Sequence, residues 1–168
     1  PAATIDAFGR FVGNRRQSNR LLALVFGLLL IGVTVAMAAE QAGNPLLTSW
    51  VSGGNLQGKE LRFGAPLTGF WSVVTTGTMT GAVNGSIDAA MPLTILTALF
   101  NLFLQVVFGG QGTGAAYLLV FALLAVFLTG LMVGRTPEFL GRKVEKAQVV
   151  WASLILLIHP LFVLIPAA

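Results

Sequence analysis

Four largely apolar stretches of this chain carry no Asp, Glu, Lys or Arg: Leu21 to Ala39, Phe63 to Ile87, Ala89 to Gly134 and Ala147 to Ala168, the last interrupted only by the titratable His159. A bilayer's hydrocarbon core is about 30 Å thick, and a helix crosses it in about 20 apolar residues. Each unpaired charge at the centre of that core is costly, so runs of this length and purity are what a membrane demands. The pattern predicts an all-α polytopic membrane protein.

Residues 1–20 hold Arg10, Arg15, Arg16 and Arg20 against one acid, Asp6, and form a basic segment ahead of the first run. The run 21–39 is long enough to span. Neither its flanks nor Glu40 offers a signal-peptide cleavage site, so it reads as a transmembrane helix with a cytoplasmic N-terminus. Residues 40–66 are broken repeatedly by Gly43, Asn44, Pro45, Gly53, Gly54 and Pro66, and read as an extracytoplasmic loop.

Leu67 to Val74 is apolar but too short to cross, and it runs directly into the Thr/Gly-rich stretch from Thr75 to Asn84. Irregular backbone at membrane depth is tolerated only where protein buries it or a water-filled cavity lies beside it. A short helix followed by such backbone predicts a re-entrant pore loop over 67–84. Pro92 then suits the first turn of the next helix, where its missing N–H leaves nothing unpaired.

From Ala89 to Gly134 the charge-free run is more than twice the length of one crossing, and Gly109, Gly110, Gly112 and Gly114 interrupt it. Two full crossings would put the linker 135–146, with Arg135, Arg142, Lys143 and Lys146, outside with the neutral loop 40–66. Basic linkers belong in the cytoplasm, so the pattern predicts one crossing over 89–134, broken at the glycines. Thr136-Pro137-Glu138 carries a hydroxyl cap, a first-turn proline and an early acid, which predicts a short interfacial helix in the linker. Residues 147–168 complete the map as a further helix, crossing from about Ala147 to Ile165.

Composition narrows the chemistry. Hydrophobic residues make up 55% of the chain and charged residues only 10%, with a mean hydropathy of +0.84. The net charge of +4 raises nucleic acid as a partner. The basic residues cluster beside apolar runs, where they orient a membrane protein, so no nucleic acid is expected. With no cysteine and one histidine, Cys-type and His-cluster metal sites are excluded, and no cofactor is implied.

Several blocks resemble a known family. NLQGKELRFG at 55–64, FGGQGTG at 108–114 and GLMVGRTPEFLGRKVE at 130–145 are each similar to the potassium-binding A subunit of Kdp-type potassium-transporting ATPases. AFGRFVGNRRQ at 7–17 and the stretch from Thr75 to Val83 agree as well. The resemblance covers essentially the whole chain. It implies a subunit of four pseudo-equivalent repeats around one potassium filter, of which residues 21–134 look like the third and residues 147–168 like the first helix of the fourth. The missing initiator methionine and the apolar end agree with a piece of a longer chain. The resemblance further implies a bacterial inner-membrane complex in which potassium is cargo. ATP and Mg belong to a partner, the P-type ATPase catalytic subunit, and accessory membrane subunits complete the assembly. The chain itself is then no enzyme.

On that reading the filter is the backbone of Thr78, Met79, Thr80, Gly81 and Ala82, whose carbonyls can replace potassium's hydration shell. The plainer reading is a Thr/Gly-rich turn holding no ion. Gln105, Gly109, Gly110, Gly112 and Gly114 are the gating-loop candidates, or a simple hinge. Gln105 departs from the family pattern, which commonly has Glu there, although its amide can still hydrogen-bond. Asp88 either concentrates cations at the filter mouth or caps a helix. Gly130 and Gly134 form a GxxxG pair suited to close helix approach. His159 is either a neutral hydrogen-bonded residue or a functional intramembrane group. A non-conducting membrane scaffold is the competing function, and it requires no re-entrant loop. An intramembrane hydrolase lacks a base near its hydroxyls.

Overall fold

Asn14 separates the first two helices and caps the second. In the computed structural model, which describes residues 2–44 and 54–167, helix α1 spans Ala2–Phe11 and α2 spans Arg15–Ala42. Asn14 Oδ1 accepts the Gln17 N–H at 3.2 Å, filling one of the donors a helix start leaves open. Ser18 Oγ donates to the Ile5 carbonyl at 2.8 Å and folds α1 back along α2. The transmembrane helix predicted over 21–39 thus extends at both ends, taking up three arginines at its start and Glu40 near its finish.

Helix α3, Gly64–Thr78, runs antiparallel to α2. The two approach closely because glycines face the contact: a Cβ on Gly69 would lie 3.0 Å from the Ala36 carbonyl oxygen, and one on Gly32 would lie 3.3 Å from Val73. A Cβ on Gly77 would reach Leu29 at 3.7 Å, so α3 ends beside the middle of α2. Helix α3 is longer than the short helix expected over 67–74, and Thr75 to Thr78 are helical where irregular backbone was expected. The hydroxyls explain it: Thr76 donates to the Ser72 carbonyl at 2.7 Å and Thr78 to that of Val74 at 2.8 Å, which satisfies both side chains inside the helix.

A 3-10 turn at Ile87–Ala89 leads to α4, Pro92–Leu104, with Pro92 in its first turn as expected. Met91, not Asp88, is the N-cap residue, which corrects the capping role read for Asp88; that side chain is exposed in the 3-10 turn. The break falls over 105–112, and α5 follows at Thr113–Val133. Helix α6, Lys146–Ala167, lies antiparallel to α5, with Tyr117 of α5 against His159 of α6 at 6.0 Å between rings. Ile5, Val25, Val106 and Leu118 form the buried apolar cluster where α1, α2, the break and α5 meet.

Among the described residues, three helices are long and apolar enough to cross a membrane: Arg15–Ala42, Thr113–Val133 and Lys146–Ile165. Helices α3 and α4 are shorter and lie beside α2. Leu131, Met132, Trp151, Leu157 and Phe162 are exposed, the exterior that lipid or a neighbouring apolar surface accommodates.

The linker departs from expectation. In place of an interfacial helix it forms an antiparallel hairpin, β1 at Glu138–Phe139 and β2 at Arg142–Lys143, so the fold is not purely α. Leu140 and Gly141 both take positive φ, 51° and 76°, as the two central residues of a type I′ turn require. The register sets Glu138 opposite Lys143, an opposite-charge pair. Gly130 and Gly134 serve this bend rather than a helix seam: Gly134 is the left-handed cap of α5, and a Cβ on Gly130 would strike Pro137 at 2.9 Å. Of the expected loop 40–66, residues 45–53, including Pro45 and Gly53, lie outside the described residues.

Candidate functional site

The turn after α3 begins at Met79, which takes a left-handed conformation at φ 55° and ψ 37°. Its N–H and that of Thr80, the latter at 3.1 Å, both return to the Thr75 carbonyl. The Thr75 and Thr80 hydroxyls share a hydrogen bond of 2.7 Å, and Thr75 is buried. Gly81 follows at φ 70°, a value that glycine adopts without penalty. Trp71 Nε1 on α3 then donates to the Ala82 carbonyl at 3.1 Å.

The five filter candidates therefore divide. Thr78 is the last helical residue, and the Ala82 carbonyl already accepts a hydrogen bond. The Thr78 carbonyl, at the open end of the helix, and the carbonyls of Met79, Thr80 and Gly81 in the turn accept no hydrogen bond from any described residue. Met79 is half-buried and Thr80 and Gly81 are exposed, with nothing within 4 Å of a Cβ built on Gly81, so these successive carbonyls are open to a ligand or to water.

The glycine break packs directly against this turn. A Cβ on Gly110 would lie 3.2 Å from the Thr78 carbonyl oxygen, and one on Gly77 would lie 3.3 Å from that of Val107. Gly109 and Gly114 meet backbone to backbone, since a Cβ on Gly109 would sit 2.4 Å from the Gln105 carbonyl oxygen and 2.9 Å from the Gly114 Cα. Gly112 differs: its φ is +98° and the space around it is open. Thr113 Oγ1 donates to the Gly110 carbonyl at 2.7 Å and starts α5. Asn101 Nδ2 donates to the Val73 carbonyl at 3.3 Å and so ties α4 to α3.

Gln105 ends α4 in a left-handed conformation, φ 49°, and is buried. Its amide nitrogen lies against both ring nitrogens of His159, 2.9 Å from Nδ1. His159 Nε2 is 3.0 Å from the Leu102 carbonyl oxygen, one of the acceptors that a helix C-terminus leaves open. His159 is thus a hydrogen-bonded residue joining α6 to the break.

Sequence reasoning missed a buried ion pair. Glu40, 1% exposed, receives the Lys59 ammonium on Oε2, together with Asn55 Nδ2 at 2.8 Å. Its Oε1 accepts the Met91 N–H at 2.8 Å. Lys59 is therefore an interior residue rather than a free loop cation. The available signal was the position of Glu40, a lone acid closing an apolar helix. By contrast, Arg62 and Glu60 pair at the surface, where the Arg62 hydrogen bond holds the Glu60 carboxyl below its ordinary value. Among the described residues no cluster of His, Asp and Glu could hold a metal ion.

The family described as KdpA, potassium-transporting ATPase A subunit, matches residues 1–168. This chain belongs to that family. Among curated KdpA relatives, the potassium-transporting ATPase potassium-binding subunit of Anabaena sp. (strain L31) is 56% identical over 170 residues, covering 100% of this chain and 30% of its own length. The protein of the same description from Nostoc sp. (strain PCC 7120 / SAG 25.82 / UTEX 2576) is 55% identical over 170 residues, with the same coverage of each chain. That of Geobacillus kaustophilus (strain HTA426) is 44% identical over 173 residues, again covering 100% of this chain and 30% of its own length. The chain thus spans about 30% of the length of these KdpA relatives.

Proposed function

We propose that this chain is one pore repeat, the third, plus the first helix of the fourth, of a subunit that binds and translocates potassium. It contributes one quarter of a filter made of backbone carbonyls. The observation that carries this reading is the succession of carbonyls at Met79, Thr80 and Gly81 that accept no hydrogen bond from any described residue, in an irregular turn directly after a helix, α3, that ends beside the middle of α2. Carbonyl rings of this kind replace the hydration shell of potassium. The potassium-binding subunits among its relatives support the same reading.

The rest of the repeat follows. Helix α2 crosses outward, α3 returns halfway, α4 accompanies it, and α5 completes the crossing below the break. The basic ends at Arg15, Arg16 and Arg20 and at Arg142 and Lys143 share the cytoplasmic face of a bacterial inner membrane. Gln105 and Gly109 to Gly114 form the gate beneath the filter turn, Gly110 lying against Thr78. ATP hydrolysis belongs to a partner P-type ATPase subunit, which carries ATP and Mg, with accessory membrane subunits alongside. This chain performs no chemistry of its own.

A scaffold that only anchors partners has no use for irregular backbone at 79–82. The test is potassium-stimulated ATPase activity of the intact complex carrying Gly81→Ala in the full-length subunit. A left-handed residue with a Cβ costs about 1 kcal/mol, so the apparent potassium affinity drops roughly fivefold. Unaltered affinity would remove the filter assignment.

A further inference from the structure

The Glu40–Lys59 pair lies at the outer end of α2, away from the gate, and the proposed transport path makes no use of it. Burying two charges is costly unless geometry and added hydrogen bonds compensate, so such a pair is weak evidence for stability. Its connections indicate another use. Four segments converge on one carboxylate: α2 through Glu40 itself, the outer loop through Asn55 and Lys59, the start of α4 through the Met91 N–H, and α3 through Gly69. A Cβ on Gly69 would lie 2.8 Å from Glu40 Cγ, so α3 rests directly on that side chain.

The outer loop in turn grips the limb that leaves the filter turn. Lys59 forms an isolated antiparallel bridge with Gly85, and the Ser86 N–H donates to the Gly58 carbonyl at 2.7 Å. Gly85 is closely confined, since a Cβ there would lie 3.0 Å from Thr68 Cγ2 and 3.1 Å from the Gly58 carbonyl oxygen. One buried carboxylate thereby sets the helix that precedes residues 79–82 and the irregular segment that follows them. The turn between has few other restraints: the Thr75–Thr80 contacts, the Trp71 hydrogen bond to Ala82 and the packing of Gly110 against Thr78 and Met79.

We infer that Glu40 and Lys59 are positioning residues for the filter, fixing the separation of its two limbs and so the potassium affinity of the turn between them. The ion pair touches no ion; it acts through Gly69, Gly85 and Met91. This rests on the reading of 79–82 as filter backbone. It predicts that disrupting the pair changes the potassium concentration the transporter needs rather than its turnover when potassium saturates.

The experiment uses the full-length subunit in the intact complex and measures ATPase activity against potassium concentration. Glu40→Gln and Lys59→Met each leave a buried charge unpaired, and each should raise the apparent KM for potassium about tenfold, with kcat within about twofold of wild type. The double variant carries no unpaired charge and should recover part of that loss. Asn55→Ala keeps the pair, removes the two hydrogen bonds from Nδ2 to the Glu40 carbonyl and carboxylate at a half-buried site, and should raise KM about threefold. If the single variants do not assemble, Asn55→Ala decides alone. Wild-type KM in the assembled variants, or a fall in kcat at unchanged KM, overturns the proposal. Gly81→Ala, run in parallel, separates the two claims: if it shifts KM while the pair variants do not, only the positioning role fails. If it shifts nothing either, the filter reading fails first.

Discussion

Nε2 of Gln105 lies 2.9 Å from Nδ1 of His159, joining the end of α4 to the middle of α6. With the proton assigned to His159 Nε2, that nitrogen donates to the Leu102 carbonyl at 3.0 Å while Nδ1 accepts from the Gln105 amide. One imidazole thus caps a broken helix from outside it.

His159→Ala leaves the Leu102 carbonyl and the Gln105 amide without this partner. Each unmade hydrogen bond in a buried site costs about 1–3 kcal/mol. The thermal midpoint of the purified complex should fall, and His159→Asn, which keeps a donor and an acceptor, should recover part of the loss. Identical midpoints for all three proteins would show that this bond holds nothing in place.

At the break the glycines are not equivalent. Gly109→Ala drives a Cβ into the Gln105 carbonyl and the Gly114 backbone, neither of which is a flexible side-chain tip. Gly112→Ala meets only backbone strain at φ +98°. Potassium-stimulated activity should be abolished or reduced more than about tenfold in Gly109→Ala and only severalfold in Gly112→Ala. The reverse order would contradict the packing of the break.

Membrane orientation is checked by cysteine labelling. Lys59 is unsuitable because its side chain is buried against Glu40, whereas the Arg62 side chain is 78% exposed. Arg16→Cys and Arg142→Cys should label from one face and Arg62→Cys from the other. Labelling of positions 62 and 142 from the same face would mean that α4 and α5 do not form one crossing.

What the sequence made legible follows from what charge and glycine patterns encode. The first span, the break at the glycines and Pro92 at a helix start all emerged from one-dimensional signals. The end of α3 did not, because threonines satisfy their hydroxyls either in a turn or against the preceding helical carbonyls, and the structure takes the second course. The linker likewise looked helical from Thr136-Pro137-Glu138. Leu140-Gly141 is an uncommon I′ turn, and only the pairing of Glu138 with Lys143 across it favours a hairpin. Glu40–Lys59 and Gln105–His159 join residues far apart in the chain, and no local pattern announces such partners.

The central claim, that Met79, Thr80 and Gly81 supply carbonyls to a potassium filter, is tested most directly by locating the ion. A structure of the full-length subunit with thallium or rubidium in place of potassium would reveal the ion's position by anomalous scattering. Density within coordination distance of the Met79, Thr80 and Gly81 carbonyls, shared with equivalent turns from the rest of the subunit, is the predicted result. Ions bound elsewhere in the subunit, with these three carbonyls hydrogen-bonded to protein, would contradict it.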